Sequence, residues 1–177
     1  MTETADRLNN QAILLAADGS FKEAIACFVR AITIEKNNSL LWYNLGVTYR
    51  DSGDLQKAEN SLLKAHHISP SDTEIIEELA LVLYNEGKFE DAMEYCYSGL
   101  SVNPENSKLW NTQGVILFNT KNFEEASTAF ERAVVINPYY YDAIFNLKDT
   151  YAELGNKTGE KECEKRLKEI KKNGEIL

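Results

Sequence analysis

Residues 39–72 of this chain read SLLWYNLGVTYRDSGDLQKAENSLLKAHHISPSD, and the same pattern returns every 34 residues. The chain has three prolines, which are spaced by 34 residues, and two tryptophans, which are separated by twice that distance. The other markers at this interval are an alanine, a bulkier residue four positions after it, and a glycine: Ala24, Ala58, Ala92 and Ala126; Phe28, Leu62, Cys96 and Phe130; Gly19, Gly53, Gly87 and Gly155. Lys121 stands where the fourth glycine would be. A fixed period of this length predicts a chain of repeated supersecondary units.

Each unit is predicted to contain two helices joined by a turn. Trp42, Leu45, Gly46 and Tyr49 follow the i, i+3, i+4, i+7 spacing that places residues on one face of a helix, and we expect that face to be buried. The recurring glycine supplies the positive φ of a tight turn between the helices. The recurring proline ends the second helix, because it lacks an amide donor and disfavours helix in the residue before it.

Two further features predict how the helices begin and pack. The segments Ser20-x-x-Glu23 and Asn122-x-x-Glu125 have the form of capping boxes that open second helices. The recurring alanine is small enough for the two helices of a unit to approach closely.

The spacing W-x-x-L-G-x-x-Y, followed by A-x-x-x-L and a proline, resembles the tetratricopeptide repeat, and the resemblance covers residues 5 to about 172. It implies an all-α fold, a right-handed α-solenoid of five helix-turn-helix repeats in a single domain, 1–177. The repeats are predicted at 5–38, 39–72, 73–106, 107–140 and 141–174. The last second helix, about 159–172, carries Cys163, Leu167 and Ile170 as a narrow apolar stripe among charged residues. We expect it to act as a solvating cap; the alternative is a basic helix that recruits a partner.

Composition and charge limit the classes of partner. The chain is 44% apolar and 27% charged, with a formal net charge of −9, so nucleic acids and anionic membranes would be repelled. No apolar run reaches the length of a membrane span, and the start lacks the basic segment of a secretory signal, so we expect a cytoplasmic protein. The three cysteines are widely spaced without a C-x-x-C pair, which favours reduced, buried thiols.

No catalytic or phosphate-binding motif occurs in the sequence, and we expect no enzymatic activity, no cofactor and no metal. The two histidines are adjacent on a predicted helix, where they point about 100° apart and cannot hold one ion from one face. Glu74, Glu77 and Glu78 gather on one side of a helix. They form a solvated face, a contact for a basic partner, or a cation or catalytic site, and the sequence leaves these three alternatives open.

The resemblance also implies that the first helix of each pair lines a concave groove in which ligands lie. The residues that it places there are Asn10, Tyr43, Asn44, Val47, Arg50, Glu74, Glu77, Glu78, Leu81, Tyr84, Lys108, Asn111, Thr112, Val115, Phe118, Phe145 and Asn146. Aromatic and aliphatic side chains next to amides suit an extended or helical peptide, because the amides both donate and accept hydrogen bonds.

Acids outnumber bases on this predicted surface. The acids are Asp6, Asp51, Glu74, Glu77, Glu78, Asp142, Asp149 and Glu153, against Arg50 and Lys108. The predicted function is therefore a non-catalytic interaction module or scaffold whose protein or peptide partner carries basic and apolar residues. The alternative is a self-associating scaffold that forms homo-oligomers, and the sequence does not decide between a monomer and a weak homo-oligomer.

Overall fold

The computed structural model describes residues 3–174, in which the chain forms ten α-helices and no β-strand. The helices are Ala5–Ala17 (α1), Phe21–Ile34 (α2), Ser39–Asp51 (α3), Leu55–Ile68 (α4), Thr73–Asn85 (α5), Phe89–Val102 (α6), Ser107–Asn119 (α7), Phe123–Ile136 (α8), Tyr141–Glu153 (α9) and Lys157–Asn173 (α10). The odd-numbered helices are the first helices of the helix pairs, and the even-numbered helices are the second. The predicted all-α repeat fold is confirmed.

The chain folds as two compact units, residues 1–95 and 96–177, and the division falls within α6. In the first unit, α1 to α5 pack in chain order, and α3 also contacts the first helices on either side of it, α1 and α5. In the second unit, α7 to α10 pack in chain order, and α7 also contacts α9. First helices of successive repeats therefore adjoin one another within each unit.

Close approach of the paired helices depends on a small residue facing a bulky one. The recurring alanines Ala24, Ala58, Ala92 and Ala126 are completely buried. A β-carbon on Gly46 would lie 2.6 Å from the Cγ atom of Leu62, and one on Gly114 would lie 2.6 Å from the Phe130 ring. Each glycine lies sixteen residues before the bulky residue that it faces. The repeated pattern of small and bulky residues therefore reflects a packing contact between the two helices of a pair.

Both tryptophans perform the same structural role. The indole Nε1 of Trp42 donates to the carbonyl oxygen of Lys36, and that of Trp110 donates to the carbonyl oxygen of Pro104, each at 2.8 Å. Each acceptor lies six residues earlier, in the loop before the helix, at the recurring proline position. Lys36 can replace proline there because the contact uses the backbone carbonyl.

The predicted capping boxes are wrong. Neither Ser20 nor Asn122 makes a side-chain capping hydrogen bond. The Asn122 amide donates to the hydroxyl oxygen of Thr120 at 3.2 Å, so that side chain is engaged in the turn itself. A side-chain cap does form where the sequence analysis did not place one, at Asp54, whose carboxylate accepts from the backbone N–H of Lys57 at 3.2 Å.

The turn between paired helices requires a left-handed residue. Gly53 and Gly87 adopt φ values of 86° and 76°, and Lys121 adopts the same conformation with φ 64°. The turn therefore keeps its shape where glycine is missing, and Lys121 carries the steric strain that a β-carbon causes in this region.

The predicted apolar stripe of α10 is confirmed, since Cys163, Leu167 and Ile170 are all buried. The preceding second helix, α8, buries a wider face made of six residues: Ala126, Ser127, Ala129, Phe130, Ala133 and Val134. The exposed remainder of α10 is rich in charge, as expected of a solvating cap. Within residues 3–174, no helix combines the length and apolar character needed to cross a membrane.

Replacing Lys121 with glycine should raise the free energy of unfolding by about 0.5–1 kcal/mol, because relief of the left-handed strain exceeds the added chain entropy. The reciprocal change, Gly87→Lys, should lower it by about 0.5–1 kcal/mol, because the added strain exceeds the chain entropy that is removed. Urea unfolding followed by circular dichroism measures both variants. Equal shifts in the same direction would contradict the assignment of strain to this turn.

Amide hydrogens of α10 should exchange with solvent faster than those of α8, because α10 buries the narrower apolar face. Mass spectrometry of peptides covering 157–173 and 123–136, from one sample, compares the two helices within the second unit. Slower exchange in α10 than in α8 would contradict the expectation that the narrower buried face protects its helix less.

Candidate peptide-binding site

All seventeen residues predicted to line a groove lie on first helices, and none of them is buried. Asn10, Glu74, Lys108 and Phe145 are exposed, and the other thirteen are partly exposed. The opposite sides of the same helices supply core residues such as Leu41 and Ile116. The hydrophobic core therefore leaves these seventeen side chains accessible, and their role in binding stays a prediction.

In the first unit, three adjoining first helices are linked through polar side chains. The Asn44 amide on α3 donates to the Asn9 side-chain oxygen on α1 at 2.9 Å. On the other side of α3, the Arg50 guanidinium forms an ion pair with Glu78 of α5. It also donates to the carboxylate of Asp51, at 2.8 and 3.0 Å. We call Asp51, Glu74, Glu77 and Glu78 the acidic face.

The only base in the first unit that the sequence placed on this surface is already engaged by two carboxylates. Arg50 pairs with both Glu78 and Asp51, so its charge is shared inside the chain. Burial raises the pKa of Glu78 above the ordinary range of a glutamate, although the Arg50 charge opposes the shift. The four carboxylates of the acidic face carry more formal negative charge than the Arg50 guanidinium neutralises.

The pKa of the Tyr43 phenol shows which carboxylates lie near this aromatic ring. Burial, followed by the negative charges of Glu78, Glu74 and Glu77, raises the pKa of the Tyr43 phenol to about 12. All three carboxylates thus act on one aromatic ring, which places them around the same part of the surface. Among residues 3–174, however, no three or more His, Cys, Asp and Glu side chains are arranged to hold a metal ion.

The second unit presents a more apolar version of the same surface. The Asn146 amide on α9 donates to the Asn111 side-chain oxygen on α7 at 3.0 Å. The Lys148 ammonium lies 4.2 Å from the centroid of the exposed Phe145 ring. Phe118 packs edge-on against Phe123, with ring centroids 5.2 Å apart. Part of Phe118 therefore stabilises the turn between paired helices.

Tyr84 occupies the equivalent place in the first unit. Its ring centroid is 5.8 Å from that of Phe89, the first residue of α6. Tyr84 and Phe118 are thus only partly available to a partner, because each also contacts the second helix of its own pair.

Sequence reasoning missed one member of the amide pairs. It placed Asn10 on the surface with Asn44, but the residue that bonds Asn44 is Asn9, and Asn10 is exposed. Both amide pairs, Asn9 with Asn44 and Asn111 with Asn146, are separated by 35 residues and not by the 34 of the repeat. Two asparagines spaced by 35 residues, one more than the repeat length, are the sequence signal that could have predicted this contact.

Models of the tetratricopeptide repeat match residues 5–38, 27–60, 73–106 and 107–140. The chain belongs to the tetratricopeptide repeat family. Tetratricopeptide repeats are protein-interaction modules, and their scaffold fold is typically non-catalytic. The match at 27–60 joins α2 to α3 and spans the boundary between two helix pairs, as expected where helices alternate regularly along the chain.

Solved structures confirm the fold along nearly the whole chain. MamA from Desulfovibrio magneticus RS-1 superimposes with a TM-score of 0.83 at 18% identity, over 98% of this chain and 98% of that chain. YrrB, described as a tetratricopeptide repeat protein with an unusual peptide-binding site, gives a TM-score of 0.70 at 21% identity, over 92% of this chain and 84% of that chain.

A curated relative matches a shorter part of the chain. The peroxisomal targeting signal receptor of Candida albicans is 27% identical over 86 residues, which are 49% of this chain and 14% of that protein. The match thus spans only a small part of that relative's length.

Substituting alanine for Asn44 should lower the free energy of unfolding by about 0.5–1.5 kcal/mol, because the Asn9 side chain loses its hydrogen-bond donor. Asn10→Ala, which changes the exposed residue next to Asn9 on α1, is the matched control, and it should change stability by less than about 0.5 kcal/mol. Thermal and urea unfolding of the two variants measure the difference. If both lose the same stability, the Asn9 to Asn44 bond does not link α1 to α3 in solution.

Proposed function

We propose that this protein is a non-catalytic interaction module that binds a partner polypeptide along its first helices. The observation that carries the proposal is the division of each first helix into two sides. Leu41 and Leu45 of α3 lie in the core, whereas Tyr43, Asn44 and Val47 of the same helix remain accessible. A helix that exposes apolar and amide groups next to its buried stripe offers both contact area and hydrogen bonds to a peptide.

The first unit suits a basic segment. Its acidic face holds four carboxylates, two of which pair with the Arg50 guanidinium, and Tyr43 and Leu81 add partly exposed apolar surface beside them. A lysine or arginine of the partner gains Coulomb attraction there, and an adjacent apolar residue gains contact area. The attraction weakens as salt screens it.

The second unit suits an apolar anchor and a peptide backbone. Phe145 is 42% exposed, and Val115 and Thr112 are partly exposed on the adjoining α7. The Asn146 to Asn111 bond uses one donor and one acceptor, so the pair retains amide hydrogens on Asn111 and the side-chain oxygen of Asn146. These groups match the carbonyl and N–H of an extended backbone.

The comparisons support a peptide ligand. YrrB, which shares the fold, is described as having a peptide-binding site, and the Candida albicans relative is named as a receptor for a targeting signal. The net charge of −9 disfavours nucleic acids and anionic membranes as partners. We accordingly propose a basic, partly apolar protein segment as the ligand of a cytoplasmic protein.

Binding of a fluorescein-labelled peptide of alternating lysine and leucine tests the proposal, with a peptide of alternating glutamate and leucine as the comparison. Glu74→Gln with Glu77→Gln should weaken binding of the lysine peptide by about 0.5–2 kcal/mol, because two surface ion pairs are lost. Fluorescence anisotropy at low and high salt measures the effect, and the affinity of the wild type should fall as salt rises.

The matched control is Glu90→Gln with Glu94→Gln, which removes the same charge from exposed positions of α6 in the same unit. This variant should bind the lysine peptide nearly as the wild type does. Equal losses in the two double variants would mean that net charge alone attracts the peptide, and the proposed site would then be wrong.

A further inference from the structure

The exposed side of α10 carries a row of four lysines. Lys161, Lys165, Lys168 and Lys172 are all exposed, and their i, i+4, i+7, i+11 spacing places them along one side of the helix over about 16 Å. This row lies opposite the buried stripe of Cys163, Leu167 and Ile170 and lines a shallow surface depression with Glu164 and Glu169. Within the described part of the chain, none of the four ammonium groups forms an ion pair. We call these residues the lysine row.

Two positions of the lysine row, and the neighbouring Glu164, correspond to buried residues in the preceding second helix, α8. Glu164 takes the repeat position of Phe130, and Lys168 takes that of Val134, both of which are buried in α8. Lys161 likewise takes the position of the buried Ser127. A surface that contributes to the core in the preceding repeat is thus charged and uncovered in α10.

The charge of α10 is opposite to that of the rest of the chain. Residues 157–173 contain seven Lys and Arg against four Asp and Glu, whereas residues 1–95 contain 8 Lys and Arg against 16 Asp and Glu. The net charge of −9 would by itself keep two copies of the chain apart. A basic row on an acidic protein instead creates attraction between two copies of the chain.

We infer that the lysine row of α10 docks on the acidic face of a second copy of this chain. The inference rests on the proposed function, because the neighbouring α10 takes the place there of a basic partner segment. Each copy then carries both halves of the contact, so the contact is heterologous and builds open chains or closed rings. Free basic peptide competes for the same carboxylates and separates the copies.

Charge also distinguishes this contact from end-to-end stacking of repeats. The repeat positions that are buried in α3 as Leu41, Leu45 and Thr48 are occupied in α1 by Arg7, Gln11 and Leu14, all exposed. The one charged group among these three residues is the cation Arg7, so this edge of α1 offers the lysine row no charge complement. The acidic face offers attraction instead.

Sedimentation velocity at low salt tests the inference with two charge reversals. The wild type should associate more as its concentration rises and should return to a monomer at high salt. Lys165→Glu with Lys168→Glu should abolish association, and so should Glu74→Lys with Glu77→Lys. An equimolar mixture of the two variants should form a one-to-one complex, because each retains the half of the contact that complements the other's.

The control is Lys22→Glu with Lys64→Glu, which makes the same charge change at exposed positions of α2 and α4. It should still associate, and circular dichroism should show unchanged helix content in every variant. A monomeric wild type, association that survives either reversal, or failure of the mixture to form a complex overturns the inference. If the wild type is a monomer but binds the lysine peptide through Glu74 and Glu77, only self-association fails and the proposed function stands.

Discussion

The rest of the structure depends on the close approach of the two helices in each pair. At Gly46 and Gly114 the neighbouring helix comes so near that a β-carbon would meet Leu62 or Phe130 at 2.6 Å. Where the bulky partner is absent, as at Glu164, the helix buries a narrower stripe. The pairing of small with bulky residues therefore sets how much apolar area each repeat contributes.

This packing divides the surface of each first helix between structure and recognition. The side toward the second helix is buried in the core, and the adjoining side carries accessible amides, aromatic rings and carboxylates. Even there, neighbouring repeats use some of the polar groups, since Asn44 bonds Asn9 and Arg50 pairs with Glu78. Such contacts orient the side chains that remain and reduce the entropy lost when a peptide binds.

Charge is distributed unevenly along the chain, and this determines which partners are attracted. The carboxylates of the first unit act together on Tyr43, whereas the lysine row concentrates positive charge on α10. Because exposed charges interact over about 10 Å at moderate salt, such clusters influence encounter more than fold stability. The same cluster can therefore serve a foreign peptide and a second copy of the chain, in competition.

The sequence by itself determined the period, the helix pairs and the buried stripe of α10, because each follows from local spacing around a helix. The accessible first-helix positions came from the resemblance to the tetratricopeptide repeat. It did not determine which polar side chains find one another. The bonds from Asn44 to Asn9, Arg50 to Glu78 and Trp42 to the Lys36 carbonyl depend on distances between segments. Only the tertiary structure decides these contacts, since repeats meet with an offset that a residue count does not contain.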